Sequence, residues 1–212
     1  PTPMADQNEQ LPIPSHIGLT ACVVRGQATL VWAAEAVPFR IVCRHCLLVL
    51  SDRLIDVGGA YLKPHLKAGP IDVVLKNVTA VLGRGMCRLS SSDETPHQLD
   101  LVTDCKDSIL LAPVAKAPLI ERQGVSDITE LEKRLYVRGR DNFYLGSMAL
   151  LRVNPTGDPL DYVDFSFDEG SEPWYQEQSP RFGLMWKSVT PAGVTEDRQT
   201  PADYQLDDSE QN

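Results

Sequence analysis

The chain has 212 residues, a formal net charge of −9 and a pI near 4.9, a charge balance that disfavours a nucleic-acid partner. Its hydrophobic content of 42% and charged content of 23% are those of an ordinary globular protein. No apolar run reaches the roughly 18–20 residues that a membrane helix needs, so we expect no membrane span. The 16 prolines and 14 glycines favour short strands and turns over long helices.

The composition divides the chain into three regions. Residues 1–17 are polar and punctuated by proline, which predicts a flexible N-terminal arm. Residues 18–190 contain the apolar runs and predict a single β-rich domain. Residues 191–212 are acidic and nearly without large apolar side chains, so we expect a disordered tail. The odd number of cysteines and the lack of a secretory signal indicate a reducing, cytoplasmic location, with a virion as the alternative.

Short apolar runs follow one another through the β-rich region, separated by turn-forming residues. Their lengths and alternation are typical of strands with one buried face. We therefore predict a mainly β fold, namely an antiparallel β-sandwich, jelly-roll-like or barrel. The runs, in chain order, include LTACVV, ATLVWAA, FRIVCRHCLLVL, IDVVLKNVTAVL, MCRLSS, HQLDLVTD, SILLAPV, NFYLGSMALLRV and RFGLMWKSV.

The run FRIVCRHCLLVL, residues 39–50, contains two cysteines at the spacing of metal knuckles and redox motifs. Its apolar flanks and its lack of glycine and proline predict one continuous strand. Residues three apart on a strand face opposite sides of the sheet, so Cys43 and Cys46 could not bind one ion or easily form a disulfide. We therefore predict structural cysteines, with no metal and no cofactor.

One segment has the pattern of a helix. In SDITELEKRLY, residues 126–136, Asp127 is a suitable N-cap and Glu130 follows three residues later, as in a capping box. Ile128, Leu131 and Leu135 recur at helical spacing. The sequence predicts one short helix near residues 127–136.

Carboxylates are concentrated in the segment between Arg152 and Arg181, which contains no lysine or arginine of its own. Within it, apolar and acidic residues alternate along residues 160–170, which predicts a half-buried strand with an acidic outer face. This face is a solvated surface, a docking surface for a basic partner, or a cation or catalytic site. Asp164 and Asp168 are the candidate interface residues that it supplies.

The opposite charge collects around Arg138 and Arg140, which are interleaved with aromatic residues. The loop SEPWYQEQSPRF, residues 171–182, supplies Trp174 and Tyr175, which either seal the core or anchor an interface. This loop and the FSF strand before it resemble loops in jelly-roll coat subunits of small icosahedral viruses, which carry a Pro-Trp or Ser-Pro-Trp loop after such a strand. The resemblance covers this segment alone and includes no diagnostic motif.

Two segments, TACVVRGQATL at residues 20–30 and TAVLGRGMCRL at residues 79–89, share five residues at equivalent places. A chain of this length gives a few such matches by chance, so the similarity does not establish a repeat.

The motifs of common enzyme classes are missing from the sequence, which has neither a GxSxG elbow nor a phosphate-binding glycine loop. We therefore expect a non-enzymatic structural or assembly protein, such as a shell, coat or scaffold subunit. Its partners would be proteins, either copies of itself or other subunits of an assembly. The alternatives are an enzyme whose site is assembled from distant carboxylates, and a small ligand-binding β-barrel or adaptor.

Overall fold

A computed structural model describes residues 14–64, 68–113, 116–124, 134–144, 148–156, 158, 160–167, 174–183 and 201–204. In these residues the chain winds into a parallel β-helix. Each coil contributes one strand to each of three sheets, and neighbouring coils pair in parallel.

The three sheets each contain six strands, of which the first five come in order from successive coils. The first sheet consists of β1 (Ser15–Thr20), β4 (Phe39–Arg44), β7 (Ile71–Lys76), β10 (Leu101–Lys106), β13 (Leu135–Arg140) and β17 (Tyr175–Gln178). The second sheet consists of β2 (Val23–Gly26), β5 (Leu47–Leu50), β8 (Thr79–Leu82), β11 (Ile109–Leu111), β14 (Phe143–Tyr144) and β18 (Arg181–Phe182). The third sheet consists of β3 (Val31–Ala33), β6 (Ile55–Val57), β9 (Cys87–Ser90), β12 (Pro118–Gln123), β15 (Ala149–Asn154) and β16 (Val163–Phe165).

A one-residue bend joins the first sheet to the second in every coil. The residue at the bend has a left-handed backbone with φ between 49° and 56°. Asparagine, aspartate and histidine tolerate this conformation better than other residues with a side chain. In the first five coils the amide of the bend residue donates a hydrogen bond to the next coil at 2.9–3.0 Å, which continues the ladder through the corner. The bend residues are Ala21, His45, Asn77, Asp107, Asp141 and Ser179.

The core is built from rows of side chains that point into the helix at equivalent positions of successive coils. One row contains Ile41, Val73, Thr103 and Val137, which are at most 3% exposed. Because strands in neighbouring coils lie about 4.8 Å apart, residues in a row stack directly on one another. The rows form one continuous hydrophobic cluster through the described coils.

The prediction of a mainly β fold is confirmed, but the antiparallel sandwich, jelly-roll or barrel arrangement is wrong. Among the described strands only β15 and β16 pair in antiparallel fashion, apart from an isolated bridge between Ala60 and His97. The error has a physical cause. Alternating burial marks a strand with one buried face, and this pattern is the same in a sandwich and in a β-helix.

The predicted helix near residues 127–136 is also corrected in part. Leu135 and Tyr136 belong to β13, and residues 127–133 lie outside the described part of the chain.

No helix in the described ranges combines the length and the apolar character that crossing a membrane requires. Residues 201–204 of the predicted tail form a short 3-10 helix, in which Tyr204 is buried. The proposed domain boundaries otherwise stay predictions.

A repeat exists, but not in the register of the sequence match. The match between residues 20–30 and 79–89 would align Val23 with Leu82. The structure instead aligns Val23 with Leu47 and Leu47 with Thr79. The similarity is therefore three residues out of register.

Candidate functional site

Cys43 lies on a strand and Cys46 lies just after the bend that follows it, so the prediction that they occupy opposite faces of one strand is wrong. β4 ends at Arg44, His45 forms the bend with a φ of 53°, and β5 begins at Leu47. Both cysteines point into the core, where burial raises the pKa of Cys43 to about 12. In the part of the chain that the structure describes, no three metal-ligating side chains are grouped to hold an ion.

Cys46 has a neighbour that the sequence did not indicate. Its Sγ lies 3.5 Å from the Sγ of Cys22, which occupies the equivalent position in the preceding coil. All five cysteines are free thiols. Cys43, Cys46, Cys87 and Cys105 are buried, and they serve as small apolar residues of the core.

The acidic candidates do not form an isolated acidic surface. Asp164 lies on β16 and accepts two hydrogen bonds from Arg152 on β15, at 2.7 Å from Nε and 2.8 Å from Nη2. The guanidinium of Arg152 also lies 4.0 Å from the ring centre of Tyr162. Asp168 lies outside the described residues. The carboxylate of Asp164 is therefore neutralised within its own molecule.

This ion pair belongs to a longer row on the outer face of the third sheet, which we term the alternating row. Its members occupy one register position in successive strands and alternate in charge. Arg88 donates two hydrogen bonds to Asp56, one of them at 2.9 Å, and Glu121 accepts a hydrogen bond from the buried Arg53. The row consists of Asp56, Arg88, Glu121, Arg152 and Asp164.

The basic candidates lie on a different face of the molecule. Arg138 and Arg140 point outward from β13 in the first sheet, and both are exposed. The structure therefore does not bring them next to Asp164, which lies on the third sheet. Arg140 is the last member of a row of four cations, which we term the cationic row. The row consists of Arg44, Lys76, Lys106 and Arg140, one from each of four successive coils.

Sequence reasoning missed three members of the cationic row. The sequence does contain a signal for the row, which is a recurring pattern. A cation is followed by the bend residue, then by a buried residue, and then by the next strand. The pattern reads CRHCLLVL, LKNVTAVL, CKDSILLA and GRDNFY in the four coils. The interval between equivalent residues varies from 24 between Ser15 and Phe39 to 38 between Val137 and Tyr175, and this variation hides the period.

The predicted aromatic anchors lie in the core at the C-terminal end of the helix. Trp174 is 5% exposed and Tyr175 is 6% exposed. Their rings lie 6.1 Å apart, and Phe167 packs 6.4 Å from Tyr175 and 4.4 Å from Tyr144. These side chains fill this end of the helix, which is the sealing role that the sequence left as an alternative.

The N-terminal end of the described helix is different. β1, β2 and β3 are the edge strands of the three sheets, and among the described residues nothing pairs with their outer edges. Ile17, Leu19 and Val24 are in inward positions but are only half-buried, whereas residues at the same positions of the second coil are fully buried. We term β1, β2 and β3 together the first coil.

No protein-family model, no curated protein and no solved structure matches the chain.

Proposed function

We propose that the protein is a non-enzymatic assembly unit that associates with a second copy of itself through the first coil. The observation that carries the proposal is the difference between the two ends of the β-helix. Aromatic side chains fill the C-terminal end, and β16 pairs in antiparallel fashion with the edge of β15. Both ends have three edge strands among the described residues, but at the N-terminal end a half-buried apolar layer faces outward with them.

Open edges of this kind favour protein contacts for two reasons. Unpaired backbone N–H and C=O groups on an edge strand are a template for pairing with another strand. The terminal repeat of a solenoid protein needs a polar face at the open end if separate molecules are not to associate. The first coil instead leaves its apolar side chains half-buried at that end. Burial of that apolar layer supplies the driving force, and the strand edges supply the register.

The geometry favours contact between the first coils of two copies. Such a contact is isologous, so it closes as a dimer. A head-to-tail stack would place the first coil against the C-terminal end, where β16 already covers the third sheet. We therefore expect a dimer rather than a filament.

The test uses two neighbouring valines on β2. Val24 points inward and is half-buried, and Val23 points outward and is 53% exposed. Native mass spectrometry and sedimentation should show a dimer for the wild type and for Val23→Lys, and a monomer for Val24→Lys. Circular dichroism checks that both variants keep the β fold, and Leu19→Asn is a second variant should Val24→Lys unfold. A wild-type monomer at all concentrations, or equal effects of the two valine substitutions, would refute the proposal.

A further inference from the structure

The outer faces of the first and third sheets arrange charge in two opposite ways. In the alternating row each cation has a carboxylate on a neighbouring strand, and Arg88 and Arg152 form two hydrogen bonds each with theirs. In the cationic row the neighbours are cations. The coil spacing is the same in both rows, so the difference lies in the side chains alone.

The cationic row is only partly neutralised within the described residues. Arg44 and Lys76 have no carboxylate in salt-bridge range there. Lys106 and Arg140 reach only the aspartates that follow them in the chain, at 3.8 Å and 3.6 Å, which is too far for hydrogen bonds. Like charges directly opposite each other on neighbouring strands destabilise a sheet. Within the described residues the row therefore carries repulsion between neighbouring strands that no carboxylate at hydrogen-bonding distance offsets.

From these observations we propose that the cationic row is a docking surface for an extended acidic peptide segment of a protein partner. Four cations at intervals of about 4.8 Å span about 14 Å along the helix axis. In an extended peptide, side chains on one side repeat at about 6.6–6.8 Å, so three alternate carboxylates cover about 13 Å. The flexible stems of lysine and arginine accommodate the difference in spacing.

The charges around the row favour a ligand with widely spaced negative charges over a ligand with closely spaced ones. Asp107 and Asp141 lie at the bend next to Lys106 and Arg140, and Asp104 lies on the same face. Each strand of duplex DNA carries one phosphate per about 3.4 Å of helix axis, which would place phosphates against these aspartates. Carboxylates on alternate residues leave gaps there. The net charge of −9 for the whole chain further opposes binding of a dense polyanion.

The experiment measures binding of a short labelled peptide that alternates glutamate and threonine, by fluorescence anisotropy at low and physiological salt. Wild-type protein should bind the peptide, and affinity should fall with salt because exposed charges are screened over about 8–10 Å. The double variant Arg44→Ser, Lys76→Ser should weaken binding by about tenfold or more. A matched control, Lys63→Ser with Lys116→Asn, removes two exposed cations from loops outside the first sheet and should bind like the wild type.

Thermal melting separates docking from a structural role. Removal of Arg44 and Lys76 relieves repulsion between neighbouring strands, so the melting temperature should stay equal or rise. A lower melting temperature would assign the row a structural role and overturn the proposal. Equal peptide affinity for the double variant and the control would also overturn it, as would the absence of peptide binding at low salt. Tighter binding of single-stranded DNA than of the peptide would show that the partner class is wrong.

Discussion

Glu177 of β17 lies directly opposite Gly139 of β13, and its carboxylate occupies the position that a Cβ of residue 139 would take. The carboxylate points into the helix. Asn142 donates a hydrogen bond from Nδ2 to Oε1 at 2.9 Å, and Tyr144 donates one from its hydroxyl to Oε2 at 3.1 Å. Gly139 is therefore a packing requirement of a buried polar network, because any side chain there would displace the carboxylate from both donors.

Gly139→Ala should lower the free energy of unfolding by about 1–3 kcal/mol, the usual cost of overpacking a filled interior. Chemical denaturation measures the change. Gly18→Ala is the matched control, because Gly18 lies in the same sheet with no atom within 4 Å of its added Cβ. In a Glu177→Ala background the penalty at residue 139 should shrink, since the clashing group is gone. An undiminished penalty in that background would show that Glu177 is not the cause.

Burial of Glu177 also makes stability depend on pH. Desolvation raises the pKa of Glu177 above its ordinary value of 4.5, against the opposing effect of the hydrogen bonds from Asn142 and Tyr144. The folded protein therefore binds the proton more tightly than the unfolded chain does. The stabilising contribution of the protonated group is fully present below pH 4.5 and is lost as the pH rises through the raised pKa.

Comparison of the wild type with Glu177→Gln separates the contribution of Glu177 to the pH dependence of stability from the contributions of the other carboxylates. The variant cannot ionise at residue 177, so its stability relative to the wild type should increase as the pH rises from 4.5 through the raised pKa of Glu177. Urea denaturation of both proteins across this range measures the difference. A difference that is constant with pH would mean that the pKa of Glu177 is the same in the folded and unfolded states.

The sequence predicts the strands well because each strand has one buried face. It does not predict whether neighbouring strands run parallel or antiparallel, because a strand has one buried face in either arrangement. The run at residues 39–50 shows the limit. It lacks glycine and proline and so predicts one strand, yet the chain turns at His45, because histidine tolerates a left-handed backbone. The identical turn at Asn77, Asp107 and Asp141 becomes visible only when the coils are aligned.

The candidate site was harder to predict than the fold class. Arg138 and Arg140 were identified as a basic surface, but Arg44, Lys76 and Lys106 are far away in sequence and are single cations among apolar residues. Only the pairing of successive coils places Arg44 and Lys76 in the same row as Arg140. Trp174 had the sequence context of a loop, and its burial depends on aromatic neighbours from other segments.

The alternating row allows one comparison of a buried and an accessible ion pair. The side chains of Asp56 and Arg88 are 8% and 33% exposed, and those of Asp164 and Arg152 are 28% and 19% exposed. Removal of one member of a buried pair leaves an uncompensated charge. Arg88→Ala should therefore lower the free energy of unfolding by about 3 kcal/mol, because it leaves the buried carboxylate of Asp56 without its partner. Asp164→Ala should cost about 1 kcal/mol or less, because Arg152 stays partly exposed and opposite Glu121.

Denaturation at low and high salt measures both changes. The smaller effect of Asp164→Ala should also decrease with salt, whereas the effect of Arg88→Ala should not. Equal costs at the two positions would show that burial does not separate the two pairs.

The contact between Cys22 and Cys46 predicts where the protein oxidises first. The two sulfurs lie 3.5 Å apart, just after the bends of neighbouring coils, and the coil separation of about 4.8 Å suits the Cα separation of a disulfide. The other three cysteines are buried, and burial raises the pKa of each of their thiols. A mild oxidant such as diamide should therefore close the Cys22–Cys46 disulfide selectively, as two thiols lose two protons and transfer two electrons to the oxidant.

The rate of this reaction should rise with pH. The thiolate is the attacking species, and the hydrogen bond with Cys46 raises the pKa of Cys22 above 9.0, so little thiolate is present at neutral pH. The disulfide would join the first coil to the second and should raise the free energy of unfolding by about 3 kcal/mol. Peptide mapping without reduction identifies the pair, and Cys22→Ser should abolish both the linkage and the stabilisation. A disulfide between any other two cysteines, or oxidation that proceeds equally in Cys22→Ser, would contradict the assignment.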